Sequence, residues 1–275
     1  MTMMCMAFDY EQSIWGAGEA TLHYADPASF RLLQALDALA RVKEGRVLEV
    51  GCGAGQFIRA IKRARPELEC CGCDISAAAV AKAKETGEGV RYDQSLEVEL
   101  PYVNVCFDAV LVFDVLEHAQ NTDALLAEIN RVLAPGGVFY CFVPCEGDWL
   151  SLWNLLRKLN IKPDLTKKYA GHINYFSRCS LYDLLKKNNF RLKQLRYSEH
   201  SLGQILGVLT FILMARAAKK QNISQMNNEA FFARMKHGSK FYSALKKVVN
   251  FLVNLESVLL CRVPSPNVHV ISIKK

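Results

Sequence analysis

Short apolar segments alternate with segments of helical spacing through the first 200 of the 275 residues. The apolar segments are typical of buried β-strands, and the intervening segments repeat apolar side chains every three or four residues, as α-helices do. Strands are predicted at 46–52, 68–76, 90–95, 137–144, 191–198 and 267–275, and a further strand begins the segment 107–118. Helices are predicted at 55–66, 77–87, 121–137 and 180–190. This alternation predicts an α/β fold with a seven-stranded, mostly parallel sheet covered by helices on both faces.

The helix predicted at 121–137 shows how its ends are read from the sequence. Thr122 is a residue type that caps helix N-termini, and the run Pro135-Gly136-Gly137 stops a helix. We therefore expect the fifth strand to begin at 137. In such a sheet, ligands bind at the carboxyl ends of the strands, where the strand order reverses.

The alternation ends near residue 200. A helical insertion is predicted at 201–263, and 264–275 contains the last strand, which returns to the sheet of the 1–200 core. Within the insertion, the apolar run 202–215 is only 14 residues long. That is too short to span a bilayer and favours a buried or interfacial helix.

Composition and charge narrow the class of protein. Hydrophobic residues make up 51% of the chain, which supports a packed core and excludes a disordered chain. Residues 1–150 contain 22 acidic and 12 basic side chains, whereas 151–275 contain 5 and 22. The basic half suits phosphate groups on a lipid, a nucleic acid or a small substrate. Ten cysteines without paired CxxC motifs are expected to be reduced and buried, and no signal peptide is expected at the N-terminus.

The segment VLEVGCGAGQF, residues 47–57, joins the first strand to the first helix through three glycines. A dinucleotide fingerprint needs G-x-G-x-x-G/A, but Gly51, Gly53 and Gly55 are each two residues apart. Glu49 precedes them, and its negative charge disfavours a pyrophosphate. The loop therefore favours a positively charged nucleoside.

Four segments resemble, in order, the motifs of class I S-adenosylmethionine-dependent methyltransferases. They are VLEVGCGAGQF, CGCDIS, FDAVLVFDVLEH and LAPGGVFYCFVP, and the resemblance extends from 47 to about 200. It implies a Rossmann-like fold, S-adenosylmethionine as cofactor, and Asp74 as the acid that binds the ribose hydroxyls. The cofactor-binding residues that it implies are Glu49, Gly51, Cys52, Gly53, Gly55, Asp74, Ile75, Ser95, Leu96, Phe113 and Asp114.

The adenine contact departs from the family pattern. Relatives often carry an aspartate after the third strand, where this chain has Ser95. Adenine is then held by Ser95, by backbone amides near Leu96, or by Asp93. Asp74 as a helix-terminal acid, Glu49 paired with a core arginine, and Asp114 acting through its backbone remain alternatives.

The segment 169–190 resembles the acceptor region of small-molecule methyltransferases, including quinone-pathway O-methyltransferases. Its histidine is His172, which the resemblance places near the acceptor as a base. An imidazole suits proton removal at neutral pH. The alternative is a histidine that braces the loop. Tyr169 and Tyr175 are weaker candidates, and Glu117 and His118 are expected to pack beneath the loop. No metal ligand set is predicted.

Two further segments are expected to enclose the site. The segment 145–170, with Trp149, Trp153 and several leucines, is too apolar for a solvated loop and is predicted to be a lid, or else a helix that packs on the domain. The N-terminal segment 8–18 is expected to cover the cofactor through Tyr10 and Trp15.

These features predict methyl transfer to a small or lipid-like acceptor, with oxygen as the expected atom. The apolar helices of 201–263, with Lys219, Lys220, Lys236, Lys240, Lys246 and Lys247 nearby, suggest peripheral membrane contact, or else a helical subdomain or dimer surface. A cytoplasmic protein, at or near the inner membrane surface, is expected. The alternatives are an RNA or protein methyltransferase, for which no nucleic-acid module is found, and a non-catalytic protein that binds the cofactor.

Overall fold

The computed structural model describes residues 9–161, 163–221, 231 and 240–275. The strands are β1 Gly45–Val50, β2 Leu68–Asp74, β3 Arg91–Gln94, β4 Phe107–Phe113, β5 Leu133–Pro144, β6 Phe190–Ser198 and β7 Asn267–Lys274. The helices are α1 Ser29–Ala38, α2 Gln56–Ala64, α3 Ala77–Thr86, α4 Thr122–Val132, α5 Leu152–Lys158, α6 Leu165–Tyr169, α7 Arg178–Lys187, α8 Ser201–Gln221 and α9 Lys240–Leu260.

The seven strands form one sheet in the order β3-β2-β1-β4-β5-β7-β6. The first five in that order pair in parallel, and β7 is antiparallel to both β5 and β6. The predicted α/β fold with a mostly parallel, seven-stranded, Rossmann-like sheet is therefore confirmed. The chain reverses its direction of winding between β1 and β4, so this is where the topology places a ligand crevice.

Helices cover both faces because buried residues alternate along the central strands. In β1, Leu48 and Val50 pack in a cluster with residues of α4 and α7. Val47 packs on the other face with residues of α1 and α2. Because both faces of these strands are buried, their sequences are the continuous apolar segments from which the strands were predicted. The cysteines of β2 alternate in the same way, because Cys71 and Cys73 lie in the first cluster and Cys70 in the second.

The ends of α4 differ from the prediction. Asn121, not Thr122, is the N-cap, because its side chain accepts a hydrogen bond from the amide of Ala124. The helix ends at Val132, before the Pro-Gly-Gly run. Leu133 is extended and pairs with Phe107, so β5 begins four residues earlier than expected.

The two C-terminal helices pack on the core. Helix α9 contacts β6 and α1, and its buried Asn254 donates hydrogen bonds to the carbonyls of Tyr24 and Asp26. Helix α8 is longer than the apolar run suggested: Ser201–Lys220 is long and apolar enough, by length and composition, to cross a membrane. Only 17% of an apolar 18-residue stretch of this helix is buried inside the protein. Lys236, one of the predicted surface lysines, lies outside the described residues.

Candidate active site

A cavity of about 1630 Å³ opens at the carboxyl ends of the central strands. His172 lines this cavity, and so do most of the residues predicted to bind the cofactor. These are Glu49, Gly51, Cys52, Gly53, Asp74, Ile75, Ser95, Leu96, Phe113 and Asp114. Gly55 is not among the lining residues. It caps α2 with a φ of 85°, and a Cβ there would lie 2.5 Å from the Tyr92 hydroxyl. Gly55 therefore serves the turn and not the cavity wall.

The glycine loop lines the cavity and also packs closely against the N-terminal segment. Gly53 has a φ of 53°, and a Cβ on it would lie 2.4 Å from the carbonyl oxygen of Trp15. That carbonyl also accepts a hydrogen bond of 2.7 Å from the amide of Ala54. Position 53 therefore requires a glycine, because the N-terminal segment packs directly against the loop. Tyr10 and Trp15 of that segment both line the cavity.

Glu49 lies at the floor of the cavity and is 2% exposed. Its Oε2 accepts a hydrogen bond of 2.7 Å from the amide of Ile58 in α2. Burial raises the pKa of Glu49 to about 8. No ion pair to Glu49 is found among the described residues, so the predicted alternative of a paired core arginine is not observed. A cation beside this carboxyl group would favour its charged form.

Asp74 ends β2 and faces the same loop. Its Oδ2 accepts from the amide of Gly53 at 2.7 Å, and its Oδ1 accepts from the amide of Ser76 at 2.9 Å. Burial raises the pKa of Asp74. Ser76, not Asp74, is the N-cap of α3. Each carboxylate oxygen has a second lone pair that a ribose hydroxyl can use.

Two of the three alternatives predicted for the adenine contact have partners within the protein. The amides of Ser95 and Leu96 already donate, to the carbonyls of Asp74 and Glu99. Asp93 pairs with Arg91 and does not line the cavity. The side chain of Ser95 is the remaining polar candidate.

Three further predicted residues line the cavity in different ways. Cys52 is buried, its amide donates to Cys73, and burial raises the pKa of its thiol well above the usual value. Phe113 stacks on Phe57 with ring centroids 4.1 Å apart. Asp114 pairs through its side chain with Arg31 at 2.8 Å.

His172 is held by a carboxylate that the sequence analysis did not single out. Its Nδ1 lies 2.9 Å from Oε1 of Glu146. The other oxygen of Glu146 accepts hydrogen bonds from Arg157 and, at 2.8 Å, from Thr166. Burial alone would lower the pKa of His172, but the Glu146 hydrogen bond and the charges of nearby carboxylates raise it. Both His172 and Glu146 line the cavity.

Glu117 and His118 lie beside His172. The ring centroids of the two histidines are 4.9 Å apart, and Nδ1 of His118 lies 3.2 Å from the carbonyl oxygen of Gly171. Burial lowers the pKa of His118 to about 3 and raises that of Glu117 to about 8. Neither carboxyl oxygen of the fully buried Glu117 has a hydrogen-bond partner among the described residues. One ligand atom from each of the three residues lies within 4.8 Å of the others, a spacing that would suit a metal ion.

The two tyrosines considered with His172 point elsewhere. Tyr169 packs with Met214 in a small cluster under α8. The hydroxyl of Tyr175 donates to Asp164 at 3.1 Å. Neither tyrosine lines the cavity.

The predicted lid divides into two sides. Trp153 of α5 lines the cavity, whereas Trp149 is 76% exposed and Leu155 and Leu159 also face outward. The segment is anchored by Asp148, which accepts two hydrogen bonds from the guanidinium of Arg178, at 2.8 and 3.2 Å.

A glycine loop after β1 and a carboxylate at the end of the adjacent parallel strand β2 both face one cavity at the switch point, the arrangement of nucleotide- and nucleoside-binding α/β proteins. The family model described as a methyltransferase domain matches residues 22–195, and the chain belongs to that family. The prediction of a class I S-adenosylmethionine-dependent methyltransferase is therefore confirmed.

Individual relatives match parts of the chain. The malonyl-[acyl-carrier protein] O-methyltransferase of Alcanivorax borkumensis is 30% identical over 161 residues, covering 53% of this chain and 52% of that protein. The fatty-acid O-methyltransferase of Mycolicibacterium smegmatis is 32% identical over 113 residues, covering 40% and 41%. The chain thus matches about half or less of these relatives' own length.

The fold also matches solved structures at low identity. The [4+2]-cyclase SpnF superposes with a TM-score of 0.55 at 18% identity, covering 90% of this chain and 82% of that one. This likeness shows the shared fold alone, because one fold supports several chemistries.

Proposed function

We propose that this protein transfers a methyl group from S-adenosylmethionine to a hydroxyl oxygen of a small or lipid-like acceptor, with His172 as the general base. The observation that carries the proposal is the 2.9 Å contact between Glu146 and His172 in the wall of the cavity that the glycine loop also lines. A base oriented by a carboxylate beside a nucleoside site is the arrangement that a hydroxyl acceptor needs.

The cofactor fits the end of the cavity near β1 and β2. S-adenosylmethionine, when bound, supplies a methyl group already activated on a sulfonium. Glu49 and Asp74 provide negative charge for its cationic part and acceptors for its ribose. Ile75 and Leu96 are 41% and 65% exposed at the cavity wall, and we propose that they flank the adenine ring, with the Ser95 hydroxyl as its polar partner.

The pair Glu146 and His172 supports proton removal at the acceptor. Because Glu146 accepts from Nδ1, the neutral ring of His172 carries its lone pair on Nε2. No hydrogen bond to Nε2 is found among the described residues. Bound there, the cofactor would give up its methyl group to the hydroxyl oxygen with its carbon–sulfur bond broken and a neutral thioether left, and Nε2 of His172 would accept the hydroxyl proton. Glu146 stabilises the resulting imidazolium, and Arg157 and Thr166 hold Glu146 in position.

The size of the cavity supports an acceptor of more than minimal size. Ligand pockets are commonly about 300–1,000 Å³, so 1630 Å³ leaves space beside a nucleoside. Two of the relatives are named for methylating oxygen, on a malonyl-acyl carrier and on fatty acids. These names support an acyl or other lipid-like acceptor for this chain.

We also propose peripheral contact with an anionic lipid surface through α8, at the inner face of the membrane. Ile205, Leu209 and Leu213 are spaced four residues apart and are each about half exposed. Lys219 and Lys220 end the same helix, within a C-terminal part of the chain that is strongly basic. An apolar helix face with adjacent lysines suits the headgroup region of an anionic bilayer.

Vesicle sedimentation tests the membrane proposal. Binding to vesicles of phosphatidylglycerol and phosphatidylcholine is expected, and the double substitution Leu209→Gln with Leu213→Gln should remove it. Val103→Gln, at an apolar side chain that is 74% exposed in the loop before β4, is the matched control. Membrane contact would be contradicted if the unaltered protein did not bind the vesicles. It would also be contradicted if light scattering showed that the unaltered protein is a dimer and the double variant a monomer.

Methyl transfer itself is tested with the full chain and S-adenosylmethionine labelled in the methyl group. Calorimetry measures cofactor binding, and the labelled cofactor is then incubated separately with lipid extract, RNA and protein. Label in the lipid fraction supports the proposal, whereas label in RNA or protein favours the alternative acceptors. Cofactor binding without transfer to any of them favours a non-catalytic protein.

A further inference from the structure

Helix α8 contains two glycines one turn apart, Gly203 and Gly207, and both line the cavity. A glycine inside a helix costs about 1 kcal/mol relative to alanine. Each of these positions therefore calls for a structural reason.

Gly203 has that reason within the protein. A Cβ built there would lie 2.6 Å from Cβ of Glu199, too close for any side chain. Gly207 differs, because a Cβ built there meets no heavy atom within 4 Å in the described part of the chain. The space in front of Gly207 is open, although the residue faces the cavity.

The surroundings of Gly207 form a mostly apolar wall. Phe211 follows one turn later and packs edge-on against Trp153 of α5, with ring centroids 5.4 Å apart. Gln204 ties the two helices together, because its Oε1 accepts a hydrogen bond of 2.9 Å from the amide of Leu152. Gln204, Phe211 and Trp153 all line the same cavity as His172.

We infer that Gly207 keeps open a subsite for the apolar part of the acceptor, and that the absence of a side chain there sets how bulky that part can be. The subsite lies between α5 and α8, with Trp153 and Phe211 as its aromatic wall. The inference rests on the proposed function for the reacting end of the acceptor. A glycine without a protein neighbour is explained if a ligand passes close to the helix backbone.

A different result is expected if Gly207 has no role in ligand binding. In that case Gly207→Ala and Gly207→Leu both stabilise α8 through their higher helix propensity, and neither changes the affinity for any ligand. If Gly207 lines a subsite, Gly207→Ala still raises the melting temperature, while Gly207→Leu fills the space. Measurements of stability and ligand binding on both variants separate the two explanations.

The test uses phenol, para-ethylphenol, para-butylphenol and para-heptylphenol, which share one hydroxyl and differ in chain length. Calorimetry with cofactor present measures affinity, and labelled-methyl transfer is followed in parallel. For the unaltered protein, affinity should rise about threefold to fourfold for each methylene, the increment expected for full burial. Gly207→Leu should lose at least tenfold of the affinity for para-heptylphenol and keep that for phenol.

Thr210→Leu is the matched control, because it adds the same side chain to α8 at a residue that does not line the cavity. It should behave as the unaltered protein. Affinity that does not rise with chain length, or Gly207→Leu with unchanged chain preference, would overturn the inference. Failure of the cofactor to bind would instead overturn the proposed function, so the two failures are distinguishable.

Discussion

Oε1 of Glu146 lies 2.9 Å from Nδ1 of His172, and the opposite oxygen of the same carboxylate is held by Arg157 and Thr166. Glu146 lies two residues after the end of β5, and His172 lies 26 residues later, after α5 and α6. The contact therefore favours one tautomer of a loop histidine that lines the cavity.

The first prediction concerns these two residues. His172→Ala should lower kcat by about a hundredfold to ten-thousandfold, the usual contribution of a general base. Glu146→Gln should lower it less, because Gln keeps a hydrogen bond to the ring but not the charge that stabilises the imidazolium. Cofactor affinity, measured by calorimetry, should stay the same in both. His23→Ala, at an exposed histidine, is the control. Full activity of His172→Ala would show that His172 is not the base.

The pH dependence provides the second prediction. A base acts when deprotonated, so kcat/KM should rise with pH through the pKa of His172. Burial alone would lower this pKa, but Glu146 and the carboxylates of Glu117 and Asp114 raise it above its usual value. Replacing Glu146 by Gln removes negative charge, and the acidic limb should therefore move to lower pH even as the maximum rate falls. An acidic limb at the same pH in Glu146→Gln and the unaltered enzyme would contradict this role.

The third prediction concerns cofactor binding by Asp74. Asp74→Ala should weaken binding of S-adenosylmethionine by roughly 1.5–3 kcal/mol if a charge-assisted hydrogen bond to the ribose is lost. Because Asp74 also accepts from the amides of Gly53 and Ser76, the variant should melt at a lower temperature. Asp74→Asn keeps one acceptor oxygen and should lose less of both. Calorimetry and thermal melts check the two effects, and unchanged affinity in Asp74→Ala would reject the assignment.

Asn254 provides a test of how α9 joins the core. Its side-chain amide donates to the carbonyls of Tyr24 and Asp26, both at 2.8 Å, and its oxygen accepts from the amide of Phe30. Asn254→Ala removes all three hydrogen bonds at a partly buried site and should lower the free energy of unfolding by about 2–4 kcal/mol. Asn250→Ala, which loses one bond to Ala25, should cost less. Equal losses in denaturant titrations would show that Asn254 is not the main link.

The cluster of Glu117, His118 and His172 leads to the fifth prediction. A metal ion bound there would compete with proton removal by His172, because the ring nitrogen that faces the cavity would be coordinated. If His172 is the base, a chelator should leave activity unchanged and added Zn²⁺ should inhibit. Glu117→Gln should weaken the inhibition. Loss of activity on chelation, restored by a divalent cation, would show instead that the cluster binds a required metal.

Much of the fold was predictable from the sequence because the signals are local. The apolar segment of β1 and the glycine loop after it identify the sheet and the crevice without tertiary contacts. The ends of elements were less predictable. The start of β5 depends on pairing between Leu133 and Phe107, which a window of sequence around 133 does not contain.

The candidate site was only partly predictable for the same reason. His172 was found by its resemblance to a family segment, but Glu146 carries no motif and becomes visible only when the chain folds back onto β5. Gly55 shows the converse, because its place in the glycine motif suggested a ligand contact that the structure assigns to the turn and to Tyr92.

The sequence by itself determined the family, the parallel sheet and the cofactor end of the cavity, because strand periodicity, turn glycines and the acid after β2 are properties of short segments. The tertiary structure alone decided the partner of His172, the bonds that occupy the amides near Ser95, and the open space at Gly207. These depend on residues distant in sequence whose positions are set by packing on the sheet, and no local pattern encodes such distances.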